Sequence, residues 1–288
     1  MLIYDAWAMR LVTYRFESRD RIGVVEGDQV ADISAVAPDM NGLIARLDEG
    51  LAEARRAAAS AAKTPLSQVQ LRAPIPRPLK NVLCLGRNYK EHAAEGGAAP
   101  TDEPIWFTKP PSSVCGPFDD ITVDTRVSQK NDWEVELAVI IGRPGRWISK
   151  ERAWDHVYGY TVFNDWSMRD VQQRKGNQWF KGKAMEASSP MGPWLVTVDE
   201  IGTNPHLQVS LRVNGETKQS SNTELLIFDI PTCIADISQV MTLEPGDVIS
   251  TGTPAGVGAY MNPPQFLKPG DLMETEVEKI GVLRNRIT

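Results

Sequence analysis

The chain has 288 residues, 42% hydrophobic and 24% charged, a composition that suits one large globular domain or a main domain with a small companion. Its 31 basic and 37 acidic residues leave a net charge of −6 with no basic block, which argues against nucleic acid or an anionic membrane as the main partner. Three cysteines, far apart and without a CxxC pair, exclude a disulfide framework and a zinc knuckle. Met1 to Trp7 lacks a basic start and a long apolar run, and no stretch is apolar enough to span a bilayer, so a cytoplasmic protein is expected.

In chain order, strands are predicted over 11–16, 21–25 and 30–33, with a turn at Glu26-Gly27-Asp28. From Asn41 to Lys63 the apolar positions Leu43, Ile44, Leu47, Leu51 and Ala54 recur three or four apart, predicting a helix. Pro65, Pro74, Pro76 and Pro78 then break the pattern. This divides the chain into a small unit over 1–72, a proline-rich linker over 73–80 and a main body over 81–288. Further strands are expected at 82–85, 105–108, 134–141, 157–163, 207–213 and 247–251, and helices near 88–95, 150–155, 167–174 and 230–239. Asn214-Gly215 is a hairpin turn signal. The expected class is a β-rich α+β fold with scattered helices, not a regular βαβ alternation.

The run Asp132-Trp133-Glu134-Val135-Glu136-Leu137-Ala138-Val139-Ile140-Ile141-Gly142 carries the strongest chemical signal. It reads as a buried strand, and because side chains alternate faces, Glu134 and Glu136 point the same way. Two like charges taken out of water together need a positive partner. A divalent metal answers that need; a solvated strand edge is the alternative, and the apolar flanks favour burial. Asp165, where the strand pattern ends in Asn164-Asp165, supplies a third carboxylate. Ser167 with Asp170 three residues on reads as a helix N-cap. Two Glu and one Asp suit Mg²⁺ or Mn²⁺, or Ca²⁺, better than zinc.

Three other groups complete the set. If 88–95 is helical, His92 and Glu95 share a face, and a Glu on one imidazole nitrogen makes the other a better base; a surface pair is the plainer alternative. The following Gly96-Gly97-Ala98-Ala99-Pro100 could hinge as a lid does. Trp179-Phe180-Lys181-Gly182-Lys183 could hold Lys183 in a partly dry pocket facing a developing enolate, although most lysines are solvated. Gly246 to Gly258 is a strand entering a Gly-rich loop whose N–H groups and Thr hydroxyls could meet a carboxylate or phosphate, or simply form a tight turn. It matches neither a P-loop nor a Rossmann turn.

Taken in order, Gly86-Arg87-Asn88-Tyr89 with His92-x-x-Glu95, Lys109-Pro110, Glu134-Val135-Glu136-Leu137, Asn164-Asp165 through Arg169-Asp170-Val171-Gln172, Gly182-Lys183 and Gly252-Thr253-Pro254 resemble the fumarylacetoacetate hydrolase family. The likeness runs from about 80 to 288, and residues 1–72 look like the small N-terminal α/β domain of bacterial-type members. The resemblance implies a mixed β-roll or sandwich-like catalytic domain, a homodimer, and Mg²⁺ or Mn²⁺ held by Glu134, Glu136 and Asp165. It further implies that His92 and Glu95 activate water and that Lys183 steadies an oxyanion or enolate. Arg169, Gln172, Thr253 and Lys109 would then hold a small 2-oxo acid. Ala184 and Met168 stand where many relatives have Ser and Ala, which bears on substrate more than on chemistry.

The expected reaction is hydrolysis of a C–C bond in a 2,4-dioxo acid, giving a pyruvate and a carboxylic acid. Decarboxylation of an oxaloacetate-type acid and isomerisation of a hydroxymuconate-type acid need the same site and stay open. So do a non-catalytic metal and oxo-acid binding protein and a structural Ca²⁺ site.

Overall fold

The computed structural model describes residues 9–97, 99, 101–174 and 178–288. At its centre lies the strand Val135–Ile141, buried at every position. It pairs antiparallel with Val157–Asn164 on one side and with Val248–Ser250 on the other. Its two faces meet different cores. Val135, Leu137, Val139 and Ile141 pack into one, Ala138 and Ile140 into the other. Glu136 falls in step with Ala138 and Ile140, as the two-residue repeat of a strand requires.

The main sheet continues outward from this centre. Beyond Val248–Ser250 come Val82–Gly86, in parallel, and Ile105–Lys109. Beyond Val157–Asn164 come Ser189–Thr197, Arg10–Phe16, Arg19–Glu26, Gln29–Asp32 and Lys63–Pro65. The N-terminal strands therefore extend the main sheet, joined through Leu11 opposite Leu195. One apolar core unites Leu11, Ile22, Leu43 and Ile44 with Val82, Ala138, Ile140 and Val248. Ala73 and Ile75, in the proline-rich stretch, are buried in it too. A smaller cluster, Val12, Tyr14, Val25, Val30 and Leu71, lies on the opposite face of the N-terminal strands. A separate four-stranded sheet, in the order Glu216–Asn222, Gln208–Val213, Leu272–Val277 and Gly281–Arg286, packs against the first core.

Several expectations need correction. The helix predicted over 41–63 is two helices, Met40–Ala45 and Leu47–Ser60, broken where Leu47 takes a left-handed φ of 53°. The break costs little because both pieces still bury one face, with Asp39 capping the first through Gly42 N. Ser167 does not cap a helix. Ser167–Met168 pairs as a short strand with Asn131–Asp132, the helix begins at Arg169, and the Ser167 hydroxyl donates to Asp165 O at 3.1 Å. The nine-residue strand Ser189–Thr197 is absent from the sequence reading because Pro190, Gly192 and Pro193 argue against a strand. The sheet admits them through a register shift after Tyr160, where the one Thr161 hydroxyl proton lies between Trp194 O at 2.9 Å and Gly192 O at 3.2 Å.

Candidate metal centre and active-site cleft

The strand ends place three carboxylates together. Val135 pairs with Asn164, so Glu134 and Asp165 follow each other across the ladder, and Asp165 N donates to Glu134 O at 3.0 Å. Glu134, Glu136 and Asp165 are all buried, and one oxygen from each lies within 4.8 Å of the other two. Each carboxylate is oriented by fixed partners. Glu136 Oε2 accepts from Gly252 N at 2.9 Å and from the Ser250 hydroxyl. Lys183 Nζ donates to Glu134 Oε2 at 2.8 Å and to Asp165 Oδ2 at 2.7 Å. Arg169 Nη2 lies 2.7 Å from Glu134 Oε1, an ion pair without hydrogen-bond alignment.

Electrostatics then separates the three acids. Burial alone would raise Glu134, but Lys183 and Arg169 outweigh it and hold this carboxyl below the ordinary range. Burial pushes Glu136 well up, and Asp165 and Glu134 add to the rise. Counting Asp132, which Arg169 also faces, four carboxylates meet the three cations Lys109, Lys183 and Arg169, so ionising Glu136 leaves one negative charge unbalanced. An oxygen-only donor set short of positive charge fits a hard divalent cation, and Glu134, Glu136 and Asp165 are the residues that would hold one. Burial works against the Lys183 ammonium, yet Asp165 and Glu134 keep it above the usual lysine range.

Two of the three carboxylates open onto a cleft of about 220 Å³. Glu134, Glu136, His92, Arg169, Gln172 and Lys183 line it together with Thr253. His92 sits on the short helix Lys90–Glu95, its Nδ1 2.8 Å from Glu95 Oε1. Glu95 Oε2 in turn accepts from Gly256 N at 3.0 Å. The dyad is thus bonded internally and clipped to the Gly-rich loop, leaving Nε2 as the uncommitted imidazole nitrogen. Arg169 Nη1 donates to Gln172 Oε1 at 3.1 Å on the same wall.

Two residues expected to hold substrate are engaged elsewhere. Lys109 is fully buried and does not line the cleft; it lies behind Asp165, 2.9 Å from Oδ1, and donates to Trp166 O at 2.8 Å. It is a counter-charge under the metal centre. The Thr253 hydroxyl donates to Val135 O and accepts from Gln219 Nε2, both at 2.9 Å, so its proton is spent inside the fold. The Gly-rich loop does bind carboxylates through its N–H groups, but they are the protein's own. Gly252 serves Glu136, Gly256 serves Glu95, and Gly258 and Ala259 serve Asp132.

Asp132 is the main residue that the sequence reading passed over. It is fully buried and accepts from Arg169 Nε at 2.7 Å, from Gly258 N at 2.7 Å and from Ala259 N at 3.0 Å. One carboxylate thereby ties the arginine of the wall to the loop. Its place two residues before Glu134 in the same acid-bearing run was the available signal. Arg87, Phe107, Trp179 and Tyr260 also line the cleft. No periodicity marks them, since they come from four separate segments.

Residues 81–288 match the family described as fumarylacetoacetate (FAA) hydrolase, C-terminal. The chain belongs to the fumarylacetoacetate hydrolase family. It is 47% identical over 224 residues to the oxaloacetate tautomerase YisK of Bacillus subtilis, covering 77% of this chain and 74% of that protein. It is 42% identical over 289 residues to the human mitochondrial oxaloacetate tautomerase FAHD2A, covering 97% and 91%. Among solved structures, the maleylpyruvate hydrolase of Sphingobium sp. SYK-6 in complex with manganese(II) and pyruvate superposes with a TM-score of 0.81 at 32% identity, covering 97% of this chain and 99% of that one. Proteins similar to this chain thus include oxaloacetate tautomerases and a maleylpyruvate hydrolase seen with manganese(II) and pyruvate.

Proposed function

We propose that this protein interconverts the enol and keto forms of a short 2-oxo dicarboxylic acid of the oxaloacetate type, with Mg²⁺ or Mn²⁺ at Glu134, Glu136 and Asp165. The observation that carries the reading is that His92, bonded to Glu95 behind it, lines the same small cleft as Glu134 and Glu136. The cleft, about 220 Å³, falls below the ~300–1,000 Å³ usual for ligand pockets and suits a four-carbon acid. The tautomerases named above share more of this sequence than the hydrolase does, which moves the reaction away from the C–C hydrolysis expected from the motifs.

When bound, the divalent cation supplies Lewis acidity toward the 2-oxo carboxylate. The chain's own groups do the rest. Glu95 fixes the proton on His92 Nδ1, so Nε2 carries the lone pair. In the enol-to-keto direction Nε2 takes the enol hydroxyl proton, and the resulting imidazolium delivers a proton to C3, leaving the dyad unchanged. Arg169 and Lys183 bring positive charge beside the oxygen that becomes negative between these transfers. Of the three Lys183 protons two are held by Glu134 and Asp165, so its charge serves the substrate chiefly through the carboxylates it orients.

The test is the decay of freshly dissolved enol-oxaloacetate, followed by the enol's ultraviolet absorbance with Mg²⁺ present. The expected result is faster conversion to the keto form without loss of CO₂. A second reading, hydrolysis of a 2,4-dioxo acid, draws on the same dyad, which is equally built to activate water. Release of pyruvate and a carboxylic acid from acylpyruvates, with no effect on enol-oxaloacetate, would establish it instead. The homodimer implied by the family resemblance belongs to this proposal, and sedimentation of the purified protein checks it.

A further inference from the structure

The cations lining the cleft fall into two kinds. Lys183 and Arg169 each face two carboxylates, Glu134 with Asp165 and Asp132 with Glu134. Arg87 also lines the cleft, and no acidic side chain pairs with it among the described residues.

A line of cation and ring contacts separates the two kinds. Lys183 Nζ lies 4.9 Å from the centre of the Phe107 ring, Phe107 meets Trp179 edge-on at 5.5 Å, and the Arg87 guanidinium carbon lies 5.8 Å from the Trp179 ring. Arg87 thus joins the cleft wall through Trp179, with two rings between it and Lys183. Its backbone is held there. Arg87 takes a left-handed φ of 57°, a conformation that a residue with a side chain adopts only when its neighbours impose it. On one side, a Cβ on Gly86 would come within 2.5 Å of Trp179 Cζ3. On the other, the fully buried Asn88 bonds Phe228 O, Phe228 N and Thr251 O at 3.0, 2.7 and 2.8 Å.

We propose that Arg87 is a specificity-determining residue that receives the far carboxylate of the substrate and so selects 2-oxo dicarboxylates over 2-oxo monocarboxylates. This rests on the enolising-site reading for the position of the substrate's 2-oxo end. With that end at Glu134, Glu136 and Asp165, a second carboxylate is repelled by the same acids and attracted to the one lining cation they do not neutralise. Stacking on Trp179 restricts the guanidinium before substrate arrives, which lowers the entropy lost on binding. A neighbouring cavity of about 360 Å³, lined by Arg87, Phe107, Gln178 and Trp179, leaves room beside this wall.

The test compares oxaloacetate, freshly dissolved, with 2-oxobutyrate, which has a methyl group where oxaloacetate has the second carboxylate. Binding to the Mg²⁺-loaded protein is measured by calorimetry. Wild-type protein is expected to bind oxaloacetate about tenfold more tightly than 2-oxobutyrate, the size of one charge-assisted contact. Arg87→Gln abolishes that preference while leaving 2-oxobutyrate affinity unchanged, and Arg87→Lys retains most of it. Three results overturn the proposal: no preference in the wild type, an unchanged preference in Arg87→Gln, or an equal loss of affinity for both acids. Because binding is read without turnover, a protein that shows the Arg87-dependent preference yet fails to accelerate enol decay contradicts the tautomerase reading alone.

Discussion

Two ion pairs show how far context decides what the same chemistry does. Arg15 and Asp20, on the N-terminal hairpin, lie 2.8 Å apart with 45% and 44% of their side chains exposed. Lys183 and Asp165 lie 2.7 Å apart with 2% and 0% exposed. Water screens the first pair, which neither orients nor depends on its surroundings. The second belongs to a buried cluster of Asp132, Glu134, Glu136, Asp165, Lys109, Arg169 and Lys183, in which Lys183 and Arg169 each meet two carboxylates. Stability resides in the apolar sheet and its two cores. The charged end of the central strand is costly to bury and marks the site of function.

This contrast orders the expected effects. His92→Asn removes the imidazole base that lines the cleft, and turnover should fall by about 10²–10⁴-fold with folding unchanged. A variant that keeps full rate would place proton transfer elsewhere. Lys109→Met removes one of the two buried counter-charges of Asp165, leaving Lys183, and denaturant unfolding should register a loss of about 3–5 kcal/mol. Saturating Mg²⁺ should recover part of that loss, because the cation replaces the missing positive charge at the same carboxylate.

The N-terminal region should respond to pH differently. Burial, with Asp32 adding, raises Tyr14 from 10.0 to about 12. The folded state therefore holds this proton after the unfolded state has released it. Stability that is intact below pH 10 should drain away as pH rises from 10 to about 12. Tyr14→Phe should flatten that part of the unfolding profile without changing turnover. The smallest effect is expected from Arg15→Ala, a loss of about 0.2–1 kcal/mol that shrinks further in high salt. A loss as large as that of Lys109→Met would erase the distinction between the two regions.

Legibility in the sequence follows the same division. Glu134, Glu136 and Asp165 were readable because a two-residue repeat and a strand end are local signals, and the fold brings them together as that pattern implies. His92 and Glu95 were readable because three residues of helix put them side by side. The roles of Lys109 and Thr253 were not, because a lysine's partner depends on what packs behind it and a hydroxyl's on which carbonyl lies nearest. The strand Ser189–Thr197 was hidden by its own prolines, since only its neighbours reveal that their missing donors are not needed. Arg87, Phe107, Trp179 and Tyr260 converge from distant segments, and no spacing in the chain encodes such a wall.

The central claim is that three buried carboxylates form one divalent-cation site on which the cleft depends. Titration of metal-stripped protein with Mn²⁺, wild type beside Glu136→Gln, tests it most directly. The account predicts one ion per chain in the wild type and affinity weakened by about 100-fold or more in the variant, at least what losing a mere outer partner of a metal ligand costs. Equal Mn²⁺ binding by both proteins, or none by the wild type, would contradict it.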